Sequence, residues 1–450
     1  MLVSAPRASA VRTFDEQAVD GWVDSLLSRH PAVGMAVGVV RDGELAFFRG
    51  HGVANAATGA RITEDTVFRI ASITKTFTAI ALMQLWESGL VDLDAPANEY
   101  LRAFQLVGTK RTFRPVTLRH LLTHTSGLPE MVHPLHSLAY MYGESFALDD
   151  RVPTLREYYR GGLKVASDPG SIFRYTDHNF AVVGQVVEDV SGEPFEEYLR
   201  GHVFQPLGMS ATDIERTEVI ASRLATGYDI TARGPRPVTD RVWLTAAASM
   251  IYSSPRDMAR YVAALLGQGA NSHGRVLKPE TLKIMFAPHF QPDPRVPGLG
   301  IAFDRADLRS HAAVGHGGIL PGFNSQIFAA VDDGTGVIAF TNGARGAMLW
   351  LPAEIVRLLG RVIGVPDDGI RDDVPQHPEI WGELCGWYPL DAPLTDTRIR
   401  VMLGAGARVF VHGGRLTLRV LNPTPAALMR FELHPDDPKD PYIFRIDLSA

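Results

Sequence analysis

The chain has 450 residues, 46% of them hydrophobic and 21% charged, an ordinary composition for a soluble globular protein with room for more than one domain. A formal net charge of −6 gives no reason to expect nucleic acid, and no apolar run approaches the length of a membrane span. The single cysteine, Cys385, excludes an internal disulfide framework and reads as a packed core thiol. The stretch Met1–Arg7 lacks the apolar region of a leader, so a cytoplasmic location is expected.

In chain order, Thr13-Phe14-Asp15-Glu16 reads as a capping box, opening a helix with Val19, Val23 and Leu26 on one face. Two strands are expected next, Met35–Val40 and Glu44–Phe48, joined by the hairpin signal Asp42-Gly43. From about Ser72 to Leu266 the pattern is mostly helical, interrupted by loops such as Ala166–Gly170 and Ala232–Pro237. Strands return at Leu299–Asp304, Asn324–Val331 and Gly336–Thr341, the last two linked by Asp332–Thr335, and a helix near Leu349–Ile363 closes the unit. Strands at both ends with helices between predict an α+β fold. One antiparallel sheet is assembled from both chain ends, with a helical block inserted. Gly364–Asp368 reads as a linker, and beyond it Thr397–Met402, Val409–Val411, Leu416–Val420 and Met429–Leu433 alternate like strands, with Gly413-Gly414 as a turn. The expected division is a main domain over residues 1–365 and a small β-rich, barrel-like domain over residues 376–450.

Chemistry concentrates at Ser72-Ile73-Thr74-Lys75. Residues i and i+3 share a helical face, so the Lys75 amine can reach the Ser72 hydroxyl and take its proton or assist the group that does. The chain holds 38 arginines and six lysines, and no other lysine has a serine three positions before it. Arginine does not lose its proton in a protein, whereas a desolvated lysine can. Phe77, Ala81 and Leu85 after the motif form an apolar stripe, Gly89 suits the helix stop, and the helix starts at the serine. Free N–H groups at such a start favour developing negative charge, which makes the Ser72 N–H one half of an oxyanion hole.

Two more patterns stand further on: Phe173-Arg174-Tyr175-Thr176-Asp177-His178-Asn179-Phe180 before an apolar helix, and Gly315-His316-Gly317-Gly318 before a strand-like run. With Leu121–Leu128 (LLTHTSGL) and Pro206-Leu207-Gly208-Met209, these give five ordered matches, and the chain resembles the serine β-lactamase and penicillin-binding family. The branch it resembles is the class C-like one of esterases, D-amino-acid peptidases and β-lactamases. The resemblance implies the same α+β architecture, with the active site between sheet and helical block. It further implies a serine hydrolase with no metal and no cofactor, acting through a Ser72 acyl-enzyme on a small ester or amide.

The roles that the resemblance implies are specific. Tyr175 is the proton shuttle, its phenol acidified by a nearby Lys75 ammonium. Asp177 departs from the asparagine usual in the family. Its charge should hold Lys75 protonated, oppose a Tyr175 phenolate and weaken β-lactam recognition. Asn179 is a candidate to supply that asparagine's amide instead, with a structural role the favoured reading; His124 and Ser126 read as structural residues that brace loops. His316 stands where β-lactamases have lysine, placed to hydrogen-bond Tyr175 or a substrate carboxylate. Gly317 and Gly318 leave room for substrate to approach the backbone. The Ile319 N–H is the second oxyanion donor. A carboxylesterase is the favoured activity. The alternatives are an acyltransferase on the same fold (such as a nonribosomal peptide cyclase), a D-amino-acid peptidase or β-lactamase, and a non-catalytic binding relative. Specificity is expected from the loops Glu130–Asp149 and Arg233–Leu244, with neither membrane nor nucleic acid as partner; oligomeric state is left open.

Overall fold

Seven strands form one antiparallel sheet: β1 (Gly34–Arg41), β2 (Glu44–Asn55), β3 (Ala60–Arg61), β4 (Asp304–Leu308), β5 (His311–Leu320), β6 (Phe323–Ala330) and β7 (Thr335–Thr341). Their spatial order is β4-β5-β6-β7-β1-β2-β3, so the two chain ends meet at β1 and β7, where Met35 faces Thr341 and Arg41 faces Thr335. The computed structural model describes residues 15–133, 142–366, 369–371, 373–389, 404–420 and 430–446. The expected α+β plan holds, with the helical block inserted between β3 and β4.

Local chemistry explains the frame. Asp42 and Gly43 both have left-handed φ, 53° and 80°, as a two-residue turn matched to strand twist requires. Along β1, Ala36 and Val40 enter the core shared with the helical block, whereas Met35, Val37 and Val39 enter a second core on the other face. Helices α1 (Glu16–Arg29) and α4 (Ala347–Ile363) close that second core. A strand covered on both faces reads as one apolar run, which is why this stretch carries so little polar alternation. Helix α2 (Thr74–Glu87) is buried without a break from Thr74 to Met83. Gly89, φ 70°, ends it as expected, with the Leu90 N–H bonding Leu85 O at 3.0 Å.

Several expectations need correction. The cap of α1 is Asp15, which accepts from the Ala18 N–H at 3.1 Å; Thr13 and Phe14 lie outside the described residues. The run Leu299–Asp304 is not a strand of the sheet. Ala302 has φ 59° and turns the chain there, so the strand begins only at Asp304. Cys385 is exposed after a one-turn helix, not packed in a core. Gly315–Gly318 does precede the expected strand, β6, and itself lies inside a strand that was not expected, β5.

The C-terminal residues form a second sheet of five antiparallel strands in linear order: Gly386–Pro389, Gly406–His412, Arg415–Val420, Arg430–Pro435 and Phe444–Ile446. The Gly413-Gly414 turn is present, both residues with left-handed φ, while the expected strand Thr397–Met402 lies outside the described residues, as does Met429. Among the described residues no helix is long and apolar enough to cross a membrane.

The glycines of β5 have a packing reason. A Cβ on Gly318 would lie 2.1 Å from Ile70 O and 2.3 Å from Ser325 Oγ, so the strand can touch the turn before Ser72 only without a side chain there. That space is filled by protein rather than reserved for substrate. A Cβ on Gly317 would meet only the Gln326 carboxamide, at 2.5 Å, and that flexible end can move. Gly318→Ala is therefore expected to lower stability by about 1–3 kcal/mol or more, and Gly317→Ala by clearly less. Thermal unfolding of the two variants checks this, and equal Tm values would contradict it.

Candidate active site

The Ser72 turn is held by two segments. Phe68–Arg69 pairs with Tyr252–Ser253, the Ile70 N–H bonds Ile251 O at 3.1 Å, and Ser325 Oγ donates to Ile70 O at 2.7 Å. Residues Ala71–Ile73 form a 3₁₀ turn that runs into α2, so Ser72 sits just before the α-helix rather than inside it. Ala71 is fully buried with φ 49°. A non-glycine residue held in that region costs on the order of 1–3 kcal/mol and persists only where its surroundings over-determine it. Ser72 itself is half-buried and open to solvent.

Lys75, one turn on, is fully buried. Its Nζ donates to Ser72 Oγ at 2.9 Å and to Ala248 O at 3.0 Å, and stands 2.7 Å from Asp177 Oδ1. It also lies 4.8 Å from the centre of the Tyr175 ring. Burial alone would depress the ammonium, but the Asp177 carboxylate and the Tyr175 oxygen outweigh it and raise the pKa above the ordinary lysine value. The expectation that Asp177 keeps Lys75 charged is met. Asp177 occupies the first turn of helix α3 (Asp177–Ser191), where the helix dipole favours an anion.

Tyr175 faces both groups. Burial raises its pKa; the Lys75 ammonium and hydrogen bonding to Lys75 and Ser72 oppose the rise, and Asp177 reinforces it. The net direction is upward, so a neutral phenol is the resting form. Because Ser72 Oγ accepts from Lys75, its own proton is free to point to the Tyr175 oxygen.

His124 stacks on the Tyr175 ring, centroids 4.3 Å apart. Its Nδ1 accepts from the Thr176 N–H at 3.3 Å and the Asn179 amide at 3.0 Å. Burial, with Lys75 and His316 nearby, pushes its pKa well below the ordinary value, so it is a neutral brace for the tyrosine. Ser126 Oγ bonds Asn179 Oδ1 and takes the Leu128 N–H at 3.1 Å. The structural reading of His124, Ser126 and Asn179 agrees with these contacts.

His316 differs from expectation. Its Nδ1 is 2.6 Å from Gly317 O, and a carbonyl can only accept, so Nδ1 carries the proton. The bond goes to its own neighbour rather than to Tyr175. Burial lowers its pKa despite Asp304, leaving a neutral ring with an acceptor nitrogen at Nε2. Such a ring suits a hydroxyl or N–H group and is a poor partner for a carboxylate. Ile319 lies on β5 past Gly315, the last residue that β4 pairs, and its side chain is 40% exposed.

Sequence reasoning missed two parts of this site. One is Ala248 O, which reaches Lys75 from 173 positions along the chain. The other is a buried relay behind Asp177. His178 Nδ1 is 2.6 Å from the Tyr159 hydroxyl, and Nε2 is 3.2 Å from Glu144 Oε2. Burial works against the Glu144 anion, but His178, Tyr158 and the Val132 N–H together bring its pKa below the usual range. The Glu144 carbonyl also takes the Leu244 N–H at 3.0 Å, four residues before Ala248. No short motif carries either feature, since each is a contact between distant segments.

The fold and this constellation define an active-site serine hydrolase architecture of the penicillin-recognising type. A family profile described as Beta-lactamase matches residues 19–359, and the chain belongs to that family. Penicillin-binding protein 4 of Amycolatopsis lactamdurans is 27% identical over 405 residues, spanning 85% of this chain and 97% of that relative. Esterase EstB of Burkholderia gladioli is 35% identical over 194 residues, 42% of this chain and 49% of that protein. Among solved structures, the octameric penicillin-binding protein homologue from Pyrococcus abyssi superposes with a TM-score of 0.67 at 23% identity, covering 94% of this chain and 91% of that one. The protein is a hydrolase of the β-lactamase family.

Asp177 raises the pKa of both Lys75 and Tyr175, so whichever group accepts the Ser72 proton is deprotonated at lower pH once that charge is removed. Asp177→Asn should therefore move the acidic limb of the kcat/KM–pH profile to lower pH. An unmoved limb, or one moved upward, would show that Asp177 does not act on the proton acceptor.

Proposed function

We propose that the protein cleaves a carboxylic ester through a Ser72 acyl-enzyme. The observation that carries this reading is the contact set of Lys75, whose ammonium joins Ser72 Oγ at 2.9 Å to Asp177 at 2.7 Å beneath the Tyr175 ring. Tyr175 reacts as its phenolate, which forms from the resting phenol by loss of its proton and is stabilised by the Lys75 ammonium. As Ser72 Oγ attacks the carbonyl carbon, the Ser72 proton passes to that phenolate oxygen and restores the phenol. The N–H groups of Ser72 and Ile319 take the oxyanion. Tyr175 then returns the proton to the departing alcohol, and water repeats the sequence in reverse to release the acid.

An ester is favoured over a β-lactam or peptide for two reasons drawn from this chain. Asp177 replaces an amide with a carboxylate already engaged by Lys75, so it cannot donate to a lactam or peptide carbonyl. Neutral His316 lacks the fixed positive charge that would hold a substrate carboxylate. The similarity to an esterase supports the same choice.

Short-chain p-nitrophenyl esters should be turned over better than nitrocefin or D-amino-acid amides, with no effect of EDTA. A nitrocefin kcat/KM above the best ester value would overturn the esterase reading. Ser72→Ala should abolish labelling by a fluorophosphonate probe. Lys75→Arg should lose on the order of 10²-fold or more in kcat, because a planar guanidinium does not fit the three acceptors around Nζ and places its charge differently against Tyr175. Near-normal turnover by a folded Lys75→Arg protein would show that the contact geometry of the ammonium is not needed and that any positive charge there suffices.

Each of these side chains precedes residue 365, and the residues from 376 onward are proposed to be a separable accessory domain. Deletion from residue 370 should leave fluorophosphonate labelling intact. A folded truncation that fails to label would mean that the C-terminal sheet completes the site.

A further inference from the structure

A row of aromatic rings leads away from Tyr175, through a buried histidine to one exposed and one half-buried phenylalanine. His124 stacks on Tyr175 at 4.3 Å, Phe173 meets His124 edge-on at 5.9 Å, and Phe290 stacks on Phe173 at 5.5 Å and 26°. Phe173 is 40% exposed although it precedes the site tyrosine by only two residues. A lone exposed apolar side chain needs no explanation, but an exposed phenylalanine stacked on a second ring, and one histidine away from the proposed proton donor, is a different matter.

The backbone that carries both outer rings is tied down. Phe173 is followed by the Arg174 N–H, which bonds His124 O at 2.7 Å, so its segment is tied to the same histidine it touches. Phe290 sits in a small hairpin. The Leu299 N–H bonds Phe290 O at 2.8 Å, and Gln291 reaches Val296 O at 2.7 Å. The loop between the last two C-terminal strands reaches this hairpin, with Arg295 3.6 Å from Asp440 and 5.9 Å from the Tyr442 ring centre. A flat surface held in place loses little freedom on taking up a planar ligand.

We infer that Phe173 and Phe290 form a subsite for the alcohol portion of the substrate, selecting an aryl-bearing or similarly flat apolar leaving group. The inference rests on the ester-hydrolase reading above. In that reaction the Ser72 Oγ–acyl carbon bond forms and the ester carbon–oxygen bond breaks. The proton that leaves Ser72 passes through Tyr175 to the departing alkoxide. The alkoxide oxygen must therefore lie at the Tyr175 hydroxyl. Its substituent then reaches toward the surface that Phe173 and Phe290 present, with His124 buried beneath them. Offset or edge-on ring packing gives such a group specific binding beyond area burial.

The test compares two esters with the same acyl group and alcohols of similar acidity, ethyl butyrate and 2-naphthylmethyl butyrate. Phe173→Ala and Phe290→Ala should each raise KM for the naphthylmethyl ester about 3- to 10-fold, with ethyl butyrate changed less than about twofold. An equal change for both esters, or none for either, overturns the subsite. A change that follows acyl length instead, read from ethyl butyrate against ethyl octanoate, assigns the rings to the acyl side and also overturns it. A second readout does not need ester turnover: 2-naphthalenemethanol should slow fluorophosphonate labelling of Ser72, and less so in either variant. A parent protein that labels but shows no such protection overturns the subsite alone. A parent protein that does not label overturns the hydrolase reading first, and the subsite with it.

Discussion

The buried ion pair between Lys75 and Asp177 is the constraint on which the site depends. An ammonium without water is costly, and one left unpaired in an interior destabilises by about 3–5 kcal/mol. Here the cost is offset by a carboxylate at 2.7 Å, a carbonyl at 3.0 Å and the Ser72 hydroxyl at 2.9 Å. Each partner comes from a different element: Asp177 from the first turn of α3, Ala248 from the segment after Trp243, Ser72 from the turn before α2. Holding the charge therefore means holding three segments in register. The relay of Tyr159, His178 and Glu144 extends the same tie, since it anchors α3 beside Asp177 and, through the Glu144 carbonyl, the chain leading to Ala248.

The sheet contributes by close approach rather than by side chains. β5 can lie against the turn at Ile70 and Ala71 because Gly318 presents no Cβ, and Ser325 from the next strand caps the Ile70 carbonyl. The same contact helps keep Ala71 at its left-handed φ of 49° and points Ser72 outward. Nucleophile, cation and proposed oxyanion strand are thus consequences of one packing arrangement. Asp177 then sets the electrostatic balance: the pair it forms is close to neutral overall, so Tyr175 is acidified less than it would be beside a lone ammonium.

Much of this was legible in the sequence because it is local. Ser72 and Lys75 share a helical face by spacing alone, Asp42-Gly43 specifies its own turn, and short continuous apolar runs mark β6 and β7. Ordered motifs placed Tyr175, Asp177 and His316 near one another. What was not legible depends on distant contacts. Ala248 has no side-chain chemistry to announce it, and Glu144 with His178 is a pair only after folding. Gly317 and Gly318 read as space for substrate because the sequence cannot say that Ile70 and Gln326 fill it. Leu299–Asp304 looked like a strand because a left-handed alanine, Ala302, leaves no compositional trace. His316 looked like a hydrogen-bond donor to substrate because its use of Nδ1 on the adjacent carbonyl is a rotamer, not a motif.

The central claim is that Lys75 is a buried ammonium at neutral pH, paired with Asp177 rather than waiting as a free amine. With only six lysines in the chain, selective ¹³Cε labelling would give a spectrum in which Lys75 can be assigned by its loss in Lys75→Arg. The account predicts an ammonium chemical shift for Lys75 at neutral pH that begins to change only above the ordinary lysine pKa of about 10.4. It further predicts an earlier titration once Asp177 is replaced by asparagine. A neutral-amine shift near pH 7 in the unmodified protein would contradict the account, and Lys75 itself would then be the base that takes the Ser72 proton.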